Sequence, residues 1–423
     1  MRRAWGGRSV VRMAVCAVAA GVTLSACTGG GPGTADKDSP RKAFDPPVRF
    51  GSASGVEAAL SAARQPSTSS GDAARPAVSL AEGVAYVAGE DGLEAVDTAT
   101  GSSRWKVGTT NPVEQGGFGT PRAAPLVVAG QSGATVFAAY DRTIAVQGTA
   151  LARAVIEVLA VDARSGKAVW HGEFMPAPSA RFEGRGLAAD GNVAPQVIAA
   201  DTSAVVVTAA ETTYALDRST GALRWKQRDF RAVSVSDGVV AGGESSGYEH
   251  GQLAGFALDS GQRRWTAVNT ASRVGASAAG RGLLAGNDRE TLVLVDARTG
   301  AERARYADGG HKHVHPWRCL WDTQSLVLCR DQLGGQVNAL VVFDTSTVRK
   351  VWALPDASGR IVPEVTAVWH GAVYGRTGNG PVVLDGRTGK DRDTRPGAAP
   401  FEVDQYAGLA GNNGSAIALP ASA

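Results

Sequence analysis

Short apolar runs recur at regular intervals along this chain, and most of them end in an aspartate. Residues 93 to 97, Leu-Glu-Ala-Val-Asp, are an example; glycine follows four residues after the aspartate and tryptophan eight residues after it. Short runs rich in Val, Ala and Leu, separated by Gly, Asp, Ser and Thr, are typical of β-strands joined by tight turns. The pattern therefore predicts an all-β protein built from repeats.

The pattern Asp-x-x-x-Gly-x-x-x-Trp occurs seven times with substitutions. Its aspartates are Asp97, Asp162, Asp217, Asp259, Asp296, Asp344 and Asp385. Glycine follows at Gly101, Gly166, Gly221, Gly300 and Gly389, and tryptophan at Trp105, Trp170, Trp225 and Trp352. The fourth copy is interpreted as a shortened turn with Gly261 and Trp265, and copies five and seven carry Ala304 and Asp393 in place of tryptophan. In a truncated eighth copy, Pro420 replaces the aspartate.

The spacing of the copies sets the architecture. About 46 residues separate successive aspartates, which is the length of one four-stranded propeller blade. The aspartate can bond amides two residues on, glycine accepts the positive φ of the turn, and tryptophan can pack between blades. We predict an eight-bladed β-propeller, with seven blades as the alternative. In the eight-bladed ring, residues 47 to 51 would pair with the strand at 415 to 419, because an open edge would expose unpaired backbone.

This repeat, as in residues 93 to 105, resembles the pyrroloquinoline-quinone-type (PQQ-like) propeller repeat over roughly residues 75 to 420. Quinoprotein alcohol dehydrogenases carry such repeats, and so does the periplasmic lipoprotein of the outer-membrane assembly machinery. The resemblance implies a fold shared by enzymes and scaffolds. The enzymes hold PQQ with a disulfide between adjacent cysteines, and this chain has no adjacent cysteines. We therefore expect a non-catalytic binding or assembly scaffold without a cofactor; the alternatives are a degenerate quinoprotein or a metal-dependent enzyme.

The N-terminal region reads as an export signal. Four arginines precede an apolar stretch from Met13 to Leu24, and Leu-Ser-Ala-Cys at 24 to 27 resembles a bacterial lipobox. We expect residues 1 to 26 to be a lipoprotein signal peptide, Cys27 to carry the lipid, residues 27 to 46 to be a flexible tether and residues 47 to 423 to form the propeller. An ordinary secretory signal is the alternative. The expected location is the extracytoplasmic side of the cell membrane.

Charge and cysteine content agree with export. The chain has 43 Lys plus Arg and 40 Asp plus Glu, but four arginines precede Cys27, so the remainder is close to neutral. No basic stretch with interleaved aromatics remains, which argues against a nucleic-acid partner. Cys319 and Cys329 lie at equal offsets from a turn centred on residue 324. We expect a cross-strand disulfide there, with two buried thiols as the alternative.

Three histidines in five residues are the densest chemical feature. His311, His313 and His315 would share one side of an extended strand and could bind a divalent metal. No carboxylate nearby completes the set, so a solvated loop is the competing interpretation. Two other motifs, Gly-x-Ser-x-Gly at 243 to 247 and Gly-x-Gly at 184 to 186, lack the strand-to-helix context that a nucleophile elbow or a dinucleotide site requires.

Long segments concentrate on one side of the predicted ring. Connections between blades and between the second and third strands of a blade emerge on the same face, and the long ones lie at 108–122, 141–153, 174–194, 243–252, 307–316 and 330–338. Loops on a rigid scaffold commonly bind ligands. We expect a protein or cell-envelope ligand to contact this face, with Arg142, Arg181, Tyr248 and His250 among the binding-face residues. Random variation in loop length is the alternative.

Overall fold

The structure is a computed structural model that describes residues 41–51, 58–63, 75–111, 122–131, 133–144, 148–149, 153–177, 194–245, 251–270, 275–288, 291–307, 317–333, 336–412 and 415–423. Lys42–Ala423 form one compact unit. This unit contains eight antiparallel sheets of four strands each. In the described part of the chain, no helix is both long and apolar enough to span a membrane.

Strand β1 (Arg49–Phe50) and a short 3₁₀ helix (Ala58–Ala63) precede the first blade. Blades 1 and 2 consist of β2 (Val78–Ala81), β3 (Val84–Ala88), β4 (Gly92–Asp97), β5 (Ser103–Gly108), β6 (Leu126–Val128), β7 (Thr135–Ile144), β8 (Arg153–Asp162) and β9 (Ala168–Phe174). Blades 3 and 4 consist of β10 (Gln196–Ala200), β11 (Ala204–Ala209), β12 (Thr212–Asp217), β13 (Leu223–Gln227), β14 (Phe230–Ser236), β15 (Val239–Ser245), β16 (Gly251–Ala257) and β17 (Arg263–Thr270).

The second half repeats the plan. Blades 5 and 6 consist of β18 (Ser277–Ala278), β19 (Leu283–Asp288), β20 (Thr291–Asp296), β21 (Glu302–Tyr306), β22 (Trp317–Trp321), β23 (Leu326–Leu333), β24 (Gln336–Asp344) and β25 (Lys350–Leu354). Blade 7 consists of β26 (Glu364–Trp369), β27 (Ala372–Thr377), β28 (Gly380–Asp385) and β29 (Asp391–Asp393), and the chain ends with β30 (Glu402–Val403), β31 (Ala407–Asn412) and β32 (Ser415–Ser422).

The ring closes at the eighth blade. The first strand of each blade contacts the first strand of the next, and β30 contacts both β26 and β2, so eight first strands surround one axis. The eighth sheet has the order β30-β31-β32-β1, with Arg49 opposite Ser422 and Phe50 opposite Ala421. The predictions of eight blades and of a closing N-terminal strand are confirmed. The pairing lies slightly beyond residue 419, because β32 extends to Ser422.

The hydrophobic core lies between neighbouring blades. The second strand of each blade is largely buried; β3 and β11, for example, are buried at every residue. Fourth strands such as β5 and β13 expose alternate residues. One core cluster joins blades 2 and 3 through Phe137, Trp170 and Tyr214. Each blade therefore buries its apolar faces only against its two neighbours.

One backbone hydrogen bond recurs in every blade and defines a face of the ring. The amide that follows the aspartate position donates to a carbonyl in the turn between the first and second strands. The eight donor–acceptor pairs are Thr98–Gly83, Ala163–Ala134, Arg218–Ser203, Leu258–Gly238, Ala297–Gly282, Thr345–Ser325, Gly386–Gly371 and Ala421–Tyr406. We call the side that carries these two sets of turns the short-turn face, and the opposite side the loop-rich face.

The repeat aspartates cap their turns as predicted, with one correction. In Asp217, for example, Oδ1 accepts hydrogen bonds from the amides of Ser219 and Thr220 at 2.9 and 3.0 Å. The fourth copy has no shortened turn. Leu258, not the residue after Asp259, makes the recurring bond, and the Gly261 amide donates to the Ala257 carbonyl. Ala257 therefore occupies the aspartate position at the regular spacing, and assigning Asp259 to it was wrong.

Each repeat tryptophan docks on the glycine of the following blade. Trp105 Nε1 donates to the Ala163 carbonyl at 2.9 Å, and a Cβ on Gly166 would lie 2.6 Å from the Trp105 side chain. The same arrangement joins Trp170 to Gly221 and, at later blades, Trp225–Gly261, Trp265–Gly300 and Trp352–Gly389. These glycines have φ near +70°, so positive φ and close approach both exclude a side chain.

A disulfide joins Cys319 and Cys329, with Cα atoms 4.0 Å apart. The two residues lie opposite each other in the β22–β23 hairpin, as their equal offsets from residue 324 predicted. The bridge therefore fixes the register of the first two strands of blade 6.

The N-terminal segment reaches the ring on its short-turn face. The Phe44 amide donates to the Gln405 carbonyl at 2.8 Å, in the first turn of blade 8. Asp45 pairs with His370, in the first turn of blade 7. Phe44 and Asp45, among the last residues of the predicted tether, thus lie against the propeller.

Candidate functional site

The loop-rich face carries the long connections, although several of the expected loops contain strand. Residues 141–144 belong to β7, 330–333 to β23 and 336–338 to β24. These hairpins are longer than their counterparts in other blades, so extra length on this face takes the form of extended strands as well as loops. Such strands position side chains more rigidly than loops do.

Most of the predicted site residues lie outside the described residues. This holds for Cys27, for His311, His313 and His315, and for Arg181, Tyr248 and His250. Within the described ranges, no group of three or more His, Cys, Asp or Glu side chains is arranged to hold a metal ion. The metal site therefore stays a prediction.

Arg142 is described, and it is a structural residue. It lies in β7, not in a loop, and only 2% of its surface is exposed. Its guanidinium donates to the Glu90 carbonyl at 2.6 Å, to the Asp141 carbonyl at 3.0 Å and to Thr109 Oγ1 at 3.3 Å. Because it is buried and its three nitrogens each donate a hydrogen bond, Arg142 holds blades 1 and 2 together and presents almost no surface to a ligand.

Buried Glu157 anchors the same junction. Its carboxylate accepts hydrogen bonds from the amides of Thr110 and Asn111 at 2.5 and 3.1 Å, and His171 Nε2 lies 2.9 Å from Oε1. Glu157 is fully buried. Together with Arg142 it fixes residues 109–111, where the connection from blade 1 to blade 2 begins.

Charged residues surround the axis where the first strands begin, at the loop-rich face. Arg231, Arg318, Glu364 and Glu402 lie at or next to the first residues of β14, β22, β26 and β30, and Arg75 lies just before β2. Arg75 pairs with Glu402 and also donates to the Phe401 carbonyl at 2.5 Å. We call these five residues the axial charged residues.

Two arginines of blade 6 face each other beside the disulfide. Arg318 lies opposite Arg330 in the β22–β23 register, one residue from each cysteine. Arg318 is exposed, whereas Arg330 is half-buried and donates to the Val365 carbonyl of blade 7. Neither arginine forms an ion pair with any described residue. Burial, above all, together with the positive charges of Arg318 and Arg75, lowers the pKa of Arg330.

The carboxylate that faces this pair is already bound. Glu364 accepts hydrogen bonds from Arg376 Nε and Nη2 at 2.7 and 3.0 Å. Like charges directly opposite each other in a sheet are destabilising. The Arg318–Arg330 pair therefore leaves positive charge uncompensated near the axis of the loop-rich face.

A cleft of about 310 Å³, which we call the apolar cleft, lies near this pair at the junction of blades 6 and 7. Its apolar walls are Leu354, Ile361, Pro363, Pro381, Val382 and Leu384, and polar side chains such as Arg360, Asn379 and Asp391 also line it. Ile361 is 57% exposed. The cleft lies two strands outward from Arg330, since Arg330 pairs with Leu340 and Leu340 with Leu354, a distance of about 10 Å at the usual strand spacing.

Sequence reasoning missed Arg318 and Arg330, although the signal was present. The equal offsets from residue 324 that place Cys319 opposite Cys329 also place Arg318 opposite Arg330. Two arginines facing each other on adjacent strands are unusual enough to mark a candidate anion site. The cleft could not be found in the same way, because its walls come from two different blades.

The ring and its repeats define a PQQ-like β-propeller of eight blades. The model of the family described as outer membrane protein assembly factor BamB matches residues 154–315 and 250–418, which together span more than half of the chain. The chain belongs to this family. A comparison with curated proteins finds no match.

Three solved structures are similar to this chain at low sequence identity. The computationally designed protein Ika8 is 13% identical, with a TM-score of 0.50 over 89% of this chain and 100% of that chain. BamB from Moraxella catarrhalis is 17% identical, with a TM-score of 0.40 over 72% and 83%. Quinohemoprotein alcohol dehydrogenase ADHIIG from Pseudomonas putida HK5 is 11% identical, with a TM-score of 0.43 over 81% and 73%.

Proposed function

We propose that this protein is a lipid-anchored, extracytoplasmic binding or assembly scaffold that contacts a protein or cell-envelope ligand through its loop-rich face and catalyses no reaction. Family membership supports a scaffold, since the family's description is that of an assembly factor. The lipobox-like sequence at 24 to 27 supports a lipid on Cys27. In this reading, residues 1–26 are removed on export and the propeller stays at the membrane surface.

The main structural support for the proposal is the position of the N-terminal segment around Phe44 and Asp45. Phe44 and Asp45 contact the first turns of blades 8 and 7, on the short-turn face. Fourteen residues lie between Cys27 and Lys42, so this segment spans at most about 50 Å when extended. A lipid on Cys27 would hold the short-turn face towards the membrane and leave the loop-rich face, with the Arg318–Arg330 pair and the apolar cleft, open to a partner.

Replacing the lipid-bearing residue tests the anchor. We expect Cys27→Ala to leave the protein as an unprocessed precursor or to release it from the membrane fraction, because one thiol carries the lipid. Fractionation and immunoblotting would measure this, with Cys16→Ala as the matched control. A processed Cys27→Ala protein that stays with the membrane would contradict the anchor.

Photo-crosslinking from the two faces tests the orientation. A photoreactive amino acid at Ile361, on the loop-rich face, should yield crosslinked partners in intact envelopes. The same group at Thr220, an exposed residue of the short-turn face, should not. Protein crosslinks only from Thr220 would contradict the proposed orientation. Stoichiometric metal or quinone in the purified protein would instead favour an enzyme.

A further inference from the structure

Arg318 and Arg330 are held together against their mutual repulsion. They face each other across β22 and β23, and the adjacent Cys319–Cys329 disulfide prevents the strands from slipping out of register. Arg330 cannot swing away freely, because it donates to the Val365 carbonyl. Its Nε is buried and has no hydrogen-bond partner. A buried donor without an acceptor is costly, so the described residues satisfy the Arg330 guanidinium only in part.

We propose that Arg318 and Arg330 bind a carboxylate side chain of an acidic segment of the partner protein. This inference rests on the proposed function and names the chemistry of the partner. A carboxylate accepts two parallel hydrogen bonds from a guanidinium and would remove the like-charge repulsion. The neighbouring Glu364 does not serve this purpose, because Arg376 already binds it through two hydrogen bonds.

A peptide fits the surroundings better than other anions. The apolar cleft about 10 Å away, with exposed Ile361, would accept an apolar side chain two or three residues from the acidic one in an extended segment. Inorganic phosphate would leave this cleft unused. A lipid headgroup would have to approach from the membrane, and the N-terminal segment reaches the ring on the opposite face.

Charge reversal at Arg318 separates binding from folding. We expect the full-length protein in a non-ionic detergent to bind a fluorescent octaglutamate peptide, with an affinity that falls as salt rises. Arg318→Glu should weaken this binding by about tenfold or more, because it removes one cation and engages Arg330 internally. The same variant should melt at a higher temperature than wild type, since an ion pair replaces two like charges. Arg349→Glu, which reverses an exposed charge on the short-turn face, should leave both measurements unchanged.

Several results would overturn the proposal. The proposal fails if the wild type does not bind the peptide, or if Arg318→Glu binds it as tightly as the wild type does. It also fails if Arg349→Glu weakens binding as much as Arg318→Glu does, because the attraction would then be non-specific. Binding of inorganic phosphate without the peptide would make this a small-anion site. If the protein with the photoreactive group at Ile361 still captures its partner when Arg318→Glu is added, the partner does not need this arginine. The acidic-segment assignment then fails while the scaffold function stands. If Ile361 captures no partner from wild type, the scaffold function itself fails.

Discussion

The interfaces between blades depend on a pairing of single residues, tryptophan in one blade and glycine in the next. At blades 5 and 6 both members change together. Ala304 occupies the tryptophan position and Val348 the glycine position, and both belong to the same core cluster. Val348 keeps a φ of +55°, which a β-branched residue tolerates poorly, and is only 6% exposed. The valine side chain therefore fills space that an indole occupies at the other interfaces.

This exchange can be tested with a double-mutant cycle. Ala304→Trp alone should destabilise strongly, because the new indole would collide with Val348. Val348→Gly removes the collision and relieves the positive φ. We expect the double variant to be more stable than the sum of the single changes implies, with a coupling free energy above about 1 kcal/mol in denaturant unfolding.

Gly389→Val is the control, since its Cβ would lie 2.8 Å from the Trp352 ring. It should destabilise with no relief from a change at residue 304. Additive free energies in the cycle would show that Ala304 and Val348 are not a compensating pair.

Single residues explain where sequence reasoning stopped. The tryptophans and glycines were evident from their spacing. Each glycine, however, is required by the tryptophan of the preceding repeat, and a motif within one repeat does not reveal this contact. Ala257 was missed for a related reason. Asp259 offered the expected residue type two positions later, and only the backbone hydrogen bonds show which residue occupies the turn position.

At the scale of elements, the aspartate turns couple folding to pH. Hydrogen bonds from the hydroxyls of Ser219 and Ser346, above all, hold the pKa values of Asp217 and Asp344 well below the usual range. The Ser165 hydroxyl likewise lowers the pKa of Asp162. A carboxylate with a lowered folded-state pKa stabilises the fold above its unfolded pKa, about 3.9, and that stability is lost as pH falls towards the folded value.

We therefore expect the melting temperature to fall steadily below about pH 4, where these carboxylates begin to protonate in the unfolded state. Melting curves from pH 6 downwards would measure this. The triple variant Asp162→Asn, Asp217→Asn, Asp344→Asn should start less stable at neutral pH and show a shallower acid dependence. An unchanged acid slope in that variant would assign the dependence to other groups.

Elements also differ in how well the sequence reveals them. The second and third strands of each blade are long apolar runs, and the third usually ends at the aspartate turn. Their positions therefore followed from the repeat pattern. First strands such as β18 and β30 are only two residues long, which is too short to show an alternation of apolar and polar residues. Their positions are set by contacts around the axis, so the axial charged residues were not recognised from the sequence.

At the scale of the whole molecule, stability depends on a seam that joins both ends of the chain. Phe50 is 5% exposed, packs edge-to-face on Tyr374 of blade 7 at 5.7 Å, and lies in the strand that completes blade 8. Arg49 pairs with Asp393, in the position where other blades have tryptophan, at 2.6 Å. The Tyr374 hydroxyl donates to the Pro47 carbonyl at 2.8 Å. The seam thus uses the N-terminal strand in place of a tryptophan–glycine contact.

Two deletions distinguish the seam from the tether. Removing residues 28–40 shortens the predicted tether and should leave the melting temperature almost unchanged. Removing residues 28–52 also takes away β1, so β32 would become an open edge and the ring should lose much of its cooperative stability. Phe50→Ala tests the same seam without a deletion and should cost about 3–5 kcal/mol, the usual range for a buried phenylalanine. If the two deletions and the Phe50→Ala variant all melt like wild type, β1 does not close the ring in solution, and blade 8 is stable with three strands.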